Sequence, residues 1–307
     1  MTRAVALISG GVGGARLARG FEHLPDVRTT IVVNVGDDDT IYGLSVSPDI
    51  DTVLYTLAGL EGPHGWGRAG DTMVLMEHLD GLGVDTTFRL GDADAALNIC
   101  RTMRLDAGDP LHEITASLAG SLGIRSKILP ATNHPLRTEI RTGPDLWRPF
   151  QEYFVMRGQR DEVLEVRYTG AAEATAAPGV VEAIRTADVV VITPSNPPLS
   201  IWPILAIGDV AVALERARRV IAVSPLFGGR ALKGPADRVM ASLGLPPGNA
   251  GVHAAYEGLL DDLFIDSGDR EDRDGLAASG VSVHVGSTLV ADPERATAFA
   301  ARIMELL

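Results

Sequence analysis

Gly10, Gly11, Gly13 and Gly14 separate an apolar, β-branched run from a helix-like stretch, and Arg16 stands just beyond them. A glycine turn leading from a strand into a helix offers backbone amides and a dipole end to an anion, and glycine lets that anion come close. The dinucleotide fingerprint fits Gly11 and Gly13 but puts Arg16 where the third, packing glycine belongs. No Gly-Lys-Ser/Thr follows, so this is not P-loop spacing. A cation in the first helical turn opposes the dipole, so Arg16 is expected to face a phosphate. The plain competitor is a tight turn with a solvent-facing arginine.

A second cluster reads Asn34-Val35-Gly36-Asp37-Asp38-Asp39, then Ser47-Pro48-Asp49-Ile50-Asp51. Adjacent carboxylates at a strand end repel one another unless a cation neutralises them, and hard oxygen ligands with room for water suit Mg²⁺. Ser47 as N-cap, Pro48 at the first helical position and Asp49 on the dipole form an ordinary helix start. Asp51 lies about a turn further in and has no such explanation. Asp37 and Asp51 are therefore the expected metal ligands, with Asp38 and Asp39 as solvated turn residues. A third cluster, Thr193-Pro194-Ser195-Asn196-Pro197, fixes a loop from which Ser195 and Asn196 can reach a nucleotide. A rigid turn capped by Ser200 is the equal alternative. Gly228-Gly229-Arg230 and Lys233-Gly234-Pro235 repeat the pairing of glycine with basic residues. No Ser-His-Asp set or Gly-x-Ser-x-Gly elbow is present, and the seven histidines have no ligand-like spacing. What remains suits phosphoryl or nucleotidyl-type transfer, in which positioning and charge neutralisation carry most of the catalysis.

These clusters follow four short apolar runs: Ala4 to Ile8, Thr30 to Asn34, Val189 to Thr193 and Val220 to Ser224. Such runs are typical of strands buried on both faces of a parallel sheet. Helical periodicity lies between them in Val53 to Leu60, Thr72 to Leu82, Ala93 to Met103, Val180 to Arg185 and Pro293 to Leu306. The alternation predicts an α/β, Rossmann-like, doubly wound and mainly parallel sheet, with ligands at the carboxyl ends of its strands. Residues 1–307 are expected to form one such domain. Residues 137–169 read as a small α+β insertion whose β character includes Glu152 to Val155 and Leu164 to Tyr168. Asp266 to Asp274 reads as a solvated loop. A net charge of −13 argues against nucleic acid or an anionic membrane as partner. No apolar run reaches membrane-spanning length, and the single cysteine, Cys100, fits a reducing cytoplasm.

Taken together and in order, these stretches resemble the 2-phospho-L-lactate transferases of coenzyme F(420) biosynthesis. The resemblance is carried by Gly10 to Arg16, Asn34 to Asp38, Ser47 to Tyr55, Leu90-Gly91-Asp92-Ala93-Asp94, Pro194 to Ile201, Ala222 to Pro225 and Lys233 to Ala236. It implies a Mg²⁺-dependent transferase and often a homodimer. The implied reaction moves a phospholactyl or phosphoenolpyruvyl group from a GMP-linked diphosphate donor to the hydroxyl of the deazaflavin Fo. It implies donor contacts from Gly10, Gly11, Gly13, Gly14, Arg16, Ser195 and Asn196, acceptor contacts from Asp51 and Arg89, and catalysis by Asp51, Asp37 and Arg16. Arg89 stands where the family commonly has lysine, and Ala93, Leu97 and Asn98 replace an Arg and a Thr-His pair. The alternative within the same resemblance is a CofD-like regulatory protein that binds a nucleotide sugar and transfers nothing.

Overall fold

The computed structural model describes residues 2–307. Val5 to Ile8 are all buried, as a strand covered on both faces requires. They form the middle of β1 (Arg3–Ser9), which pairs in parallel with β2 (Val27–Val33). A short hairpin, β3 (Asp39–Ile41) and β4 (Leu44–Val46), follows the second strand. The chain returns to the sheet as β5 (Lys127–Pro130) and then leaves it for an antiparallel sheet of β6 (Arg137–Gly143), β7 (Leu146–Pro149) and β8 (Glu165–Thr169). It re-enters through β9 (Val189–Ile192) and β10 (Val220–Val223), makes a hairpin of β11 (Leu226–Phe227) and β12 (Arg230–Ala231), and ends with β13 (Asp262–Ile265) and β14 (Ser282–Val285).

The central sheet has seven parallel strands in the order β14-β13-β10-β9-β1-β2-β5. This is the Rossmann-like α/β fold. Strand order reverses between β1 and β9, so their carboxyl ends splay apart and open a crevice there.

Four helices position the site: α1 (Gly11–Glu22), α2 (Pro48–Leu57), α3 (Val74–Gly81) and α4 (Asp92–Asp106). α1 starts at Gly11, so the glycines form its first turn and Arg16 lies in its second turn, not its first. Gly11 holds φ at +63°, a left-handed conformation open to glycine. Glu152–Met156 is a π-helical turn rather than a strand, because Tyr153 must be buried while Val155 and Met156 face out. Asp266 to Asp274 is not a plain solvated loop. It holds a 3₁₀ turn (Ser267–Asp272) and the start of a helix (Arg273–Ala278), with Asp269 buried to accept the Gly229 N–H at 2.6 Å. No single helix among the described residues is long and apolar enough to cross a membrane. The apolar bent pair Pro197–Leu205 and Gly208–Glu215 buries Leu199, Ile201, Ile204 and Val210 in the core.

Candidate functional site

A cavity of about 590 Å³ opens over the carboxyl ends of β1 and β9. Of the residues singled out in the sequence, Gly10, Gly11, Gly13, Arg16, Asp37, Asp51, Arg89, Ser195 and Asn196 all line it. Gly14 does not. A side chain there would meet the hydroxyls of Ser9, Thr193 (2.7 Å) and Ser195 (2.8 Å). Gly14 thus fills the helix-to-strand packing role of the fingerprint's third glycine, which the spacing had assigned to Arg16. The loops after β1 and β9 are stapled together: the Ser195 hydroxyl donates to the Gly10 carbonyl at 2.6 Å and accepts the Gly10 N–H at 3.3 Å. Asn196, rather than Ser200, caps the following turn by accepting the Leu199 N–H.

The carboxylates are arranged differently from a simple helix start. Asp49 lies in the first turn of its own helix but also serves a second one. Its Oδ1 accepts the Gly11 N–H at 2.7 Å, so a protein carboxylate occupies the anion position at the head of α1. Its Oδ2 accepts from Asn34 Nδ2 at 2.9 Å, and the same amide reaches Asp37 Oδ1 at 3.1 Å. Ser47 stands at the N-cap position of α2 but donates to Asp38 Oδ2 at 2.8 Å instead of capping. Asp38 is therefore no solvated turn residue; its other oxygen is sealed from solvent without a partner.

Burial dominates the electrostatics. It pushes Asp37 well above the usual carboxylate range, with the neighbouring Asp49 adding to the effect. It lifts Asp49 to about 6 and Asp38 to about 7. Asp51 is also raised by burial, although Arg101 opposes it. That arginine, fully buried on α4, grips both oxygens: Nη1 to Oδ2 at 3.1 Å and Nη2 to Oδ1. Beside this pair, Tyr55 donates to Asp94 Oδ1 at 2.7 Å, and burial lifts Asp94 to about 6.

Arg16 has a protein partner. Its Nε donates to Glu61 Oε1 at 2.7 Å, while Arg19 Nη1 meets Glu61 Oε2 at 3.0 Å. Two guanidinium groups thus share one carboxylate, and Arg19 keeps two buried nitrogens without acceptors. Arg89 is exposed at the rim, hydrogen-bonded to no protein atom among the described residues. Gln151 donates to the Asp37 carbonyl at 2.8 Å, and stacked Phe150 and Phe154 (centroids 5.1 Å apart) line the same cavity. Among the described residues no three His, Cys, Asp or Glu side chains converge as a complete metal-ligand set.

Glu61, Asp49, Asp94, Arg101 and Gln151 were not singled out from the sequence as site residues. One signal for Asp94 and Arg101 was present. Asp94, Asn98 and Arg101 recur at spacings of four and three, so they share one face of α4. That polar face points inward, whereas Ile99 and Met103 are exposed.

The raised carboxylates give a stability prediction for the metal-free protein. Asp38 and Asp49 release protons near 4 when unfolded but near 7 and near 6 when folded. Between those values the folded state binds more protons, so stability falls as pH rises through the window. In EDTA the Tm is expected to drop between about pH 4 and pH 7, and Asp38→Asn should shrink that drop. An equal pH dependence in wild type and variant would contradict the assignment.

The 2-phospho-L-lactate transferase CofD family matches residues 5–287. The chain is similar to a phosphoenolpyruvate transferase of Streptomyces griseus, at 36% identity over 98% of both chains. It is also similar to a 2-phospho-L-lactate transferase of Methanopyrus kandleri, at 37% identity over 100% of this chain and 98% of the other. A solved structure of a Bacillus halodurans protein aligns with a TM-score of 0.68 over 99% of this chain and 100% of that one; at 18% identity it shows a shared fold.

Proposed function

The chain belongs to the 2-phospho-L-lactate transferase CofD family, and from that premise we propose the reaction it performs. It transfers a phospholactyl or phosphoenolpyruvyl group from a GMP-linked diphosphate donor to the side-chain hydroxyl of the deazaflavin Fo. This step belongs to coenzyme F(420) biosynthesis, and GMP is released. The observation that carries this reading is one cavity at the switch point that joins an amide-rich glycine turn, buried carboxylates and an aromatic wall. The turn suits the diphosphate. Phe88, Phe150 and Phe154 suit a flat ring system. Relatives named for both donors, phosphoenolpyruvate and 2-phospho-L-lactate, support the substituted-phosphate class.

Gly10, Gly11 and Gly13 hold the donor phosphates, with Asp49 giving way at the Gly11 amide. Arg16 turns from Glu61 to neutralise the diphosphate. Ser195 fixes the glycine turn against β9, and Asn196 positions the nucleotide. Mg²⁺ fits the carboxylates present: Asp37 is buried without a cationic partner, and each Asp51 oxygen keeps a lone pair beyond the one Arg101 occupies. Mg²⁺ bound by Asp37, Asp51 and donor oxygens would neutralise the diphosphate charge. The Fo hydroxyl oxygen attacks the phosphorus carrying the organic acid, in line with the bridging oxygen that leaves on GMP. Asp51 orients that hydroxyl and accepts its proton. Arg89, with its guanidinium free, meets the acidic deazaflavin ring. A second copy of the chain fits the exposed apolar residues Leu82, Ile99 and Met103 of the α3 and α4 region.

A fluorescence titration of Fo in the presence of GDP and Mg²⁺ tests the reading. Wild type should bind Fo saturably, Arg89→Ala should weaken binding about tenfold, and Arg16→Ala should impair donor use while leaving Fo affinity near normal. Failure of wild type to bind Fo would overturn the transferase reading, and an unchanged affinity in Arg89→Ala would remove Arg89 from the acceptor site.

A further inference from the structure

Away from the main cavity, Arg270, Arg273, Arg302 and His284 line a second, open depression together with Val283 and Val285. It lies at the edge of the sheet. β14 supplies residues 283–285, the turn and helix after β13 supply Arg270 and Arg273, and the C-terminal helix Pro293–Met304 supplies Arg302.

Two of these side chains are held in place. Arg302 Nη2 donates to the Val285 carbonyl at 2.9 Å, and its guanidinium lies over the Phe264 ring, 5.3 Å from the centroid. The His284 ring stacks on Phe264 at 4.8 Å and shares a hydrogen bond with Asp262 Oδ1 at 2.7 Å. Asp262 is already paired with Arg219, so it leaves the three arginines uncompensated. Among the described residues, Arg270, Arg273 and Arg302 form no salt bridge. In a chain of net charge −13, three guanidinium groups around one hollow without a carboxylate partner call for an anion.

We propose that this depression is a second anion site, which takes a small soluble ligand carrying a phosphate or diphosphate group. Guanidinium forks match phosphate oxygens two at a time, and three of them match a multiply charged group. Short hydrogen-bonded segments connect the site to the rim of the main cavity. Arg270 follows Asp269, which holds the Gly229 N–H of the β11–β12 hairpin. Beyond β14, Thr288 lines the main cavity and donates its N–H to Asp266 at 3.2 Å.

The probe is pyrophosphate in EDTA, titrated into the whole protein while histidine ring resonances are followed by NMR. His284→Gln identifies the reporting signal. The His284 signal should move saturably in wild type and equally in Arg16→Ala, whose lesion lies in the main cavity. Arg270→Ala combined with Arg273→Ala, both exposed positions whose loss should leave Tm intact, should weaken the response about tenfold or more. No movement in wild type, loss of movement in Arg16→Ala, or full movement in the double variant would overturn the site. Citrate binding as tightly as pyrophosphate would overturn its phosphate character. None of these outcomes requires Fo or a donor substrate, so they stand apart from the transferase reading.

Discussion

Asp37→Asn is expected to lower turnover on the order of 10²–10³-fold while the Tm holds or rises. The two effects part because the carboxylate is needed only when a cation and a diphosphate are present. In the empty protein burial and the neighbouring Asp49 work against its charge, and only Asn34 donates to its side chain. The isosteric amide removes that repulsion and the desolvation of a charge. Steady-state turnover with saturating Mg²⁺, set against a melting curve, checks both halves. Near-normal turnover would remove Asp37 from the site, and a lower Tm would give it a structural role instead.

Arg101→Met should act in the opposite way, mainly on the fold. Arg101 is fully buried and bonded to both Asp51 oxygens, so deleting it strands a buried carboxylate. Breaking such a pair from one side costs about 3–5 kcal/mol, which corresponds to a Tm loss on the order of 10 °C. Adding Asp51→Leu to Arg101→Met should recover much of that stability, because a buried ion pair replaced whole is often neutral. It should not recover turnover, since Asp51 also serves the acceptor hydroxyl. A double variant that regains both would leave Asp51 as a structural partner only. Single variants with unchanged Tm would show the pair to be solvated.

The part of this fold that the sequence discloses is the part with uniform chemistry. The middle of β1, the end of β2 (Ile31 to Val33) and all of β9 and β10 are continuous apolar runs because they lie inside the sheet, where both faces are covered. β13 begins on Asp262 and β14 alternates Ser, Val, His and Val at the sheet edge, so neither shows that run. β5 is short and ends on Pro130. The site divides in the same way. Glycine turns and strand-end polar residues can be found locally, because the topology sends strand ends to one crevice. Partners between distant segments cannot. Asp51 meets Arg101 fifty residues on, Arg16 meets Glu61, and Asp49, in the first turn of α2, reaches across to the head of α1. A local rule for helix starts placed Asp49 correctly in the first turn of α2, but it could not show that the carboxylate also reaches the head of α1.

The most direct measurement is the mass of the product formed when the protein is incubated with Fo, Mg²⁺ and a GMP-linked donor. Separate reactions should contain the lactyl and the enolpyruvyl donor. The account predicts Fo enlarged by the substituted phosphate of one donor, with one GMP released per Fo consumed. Fo recovered at its original mass with both donors, from protein that binds the nucleotide, would contradict it.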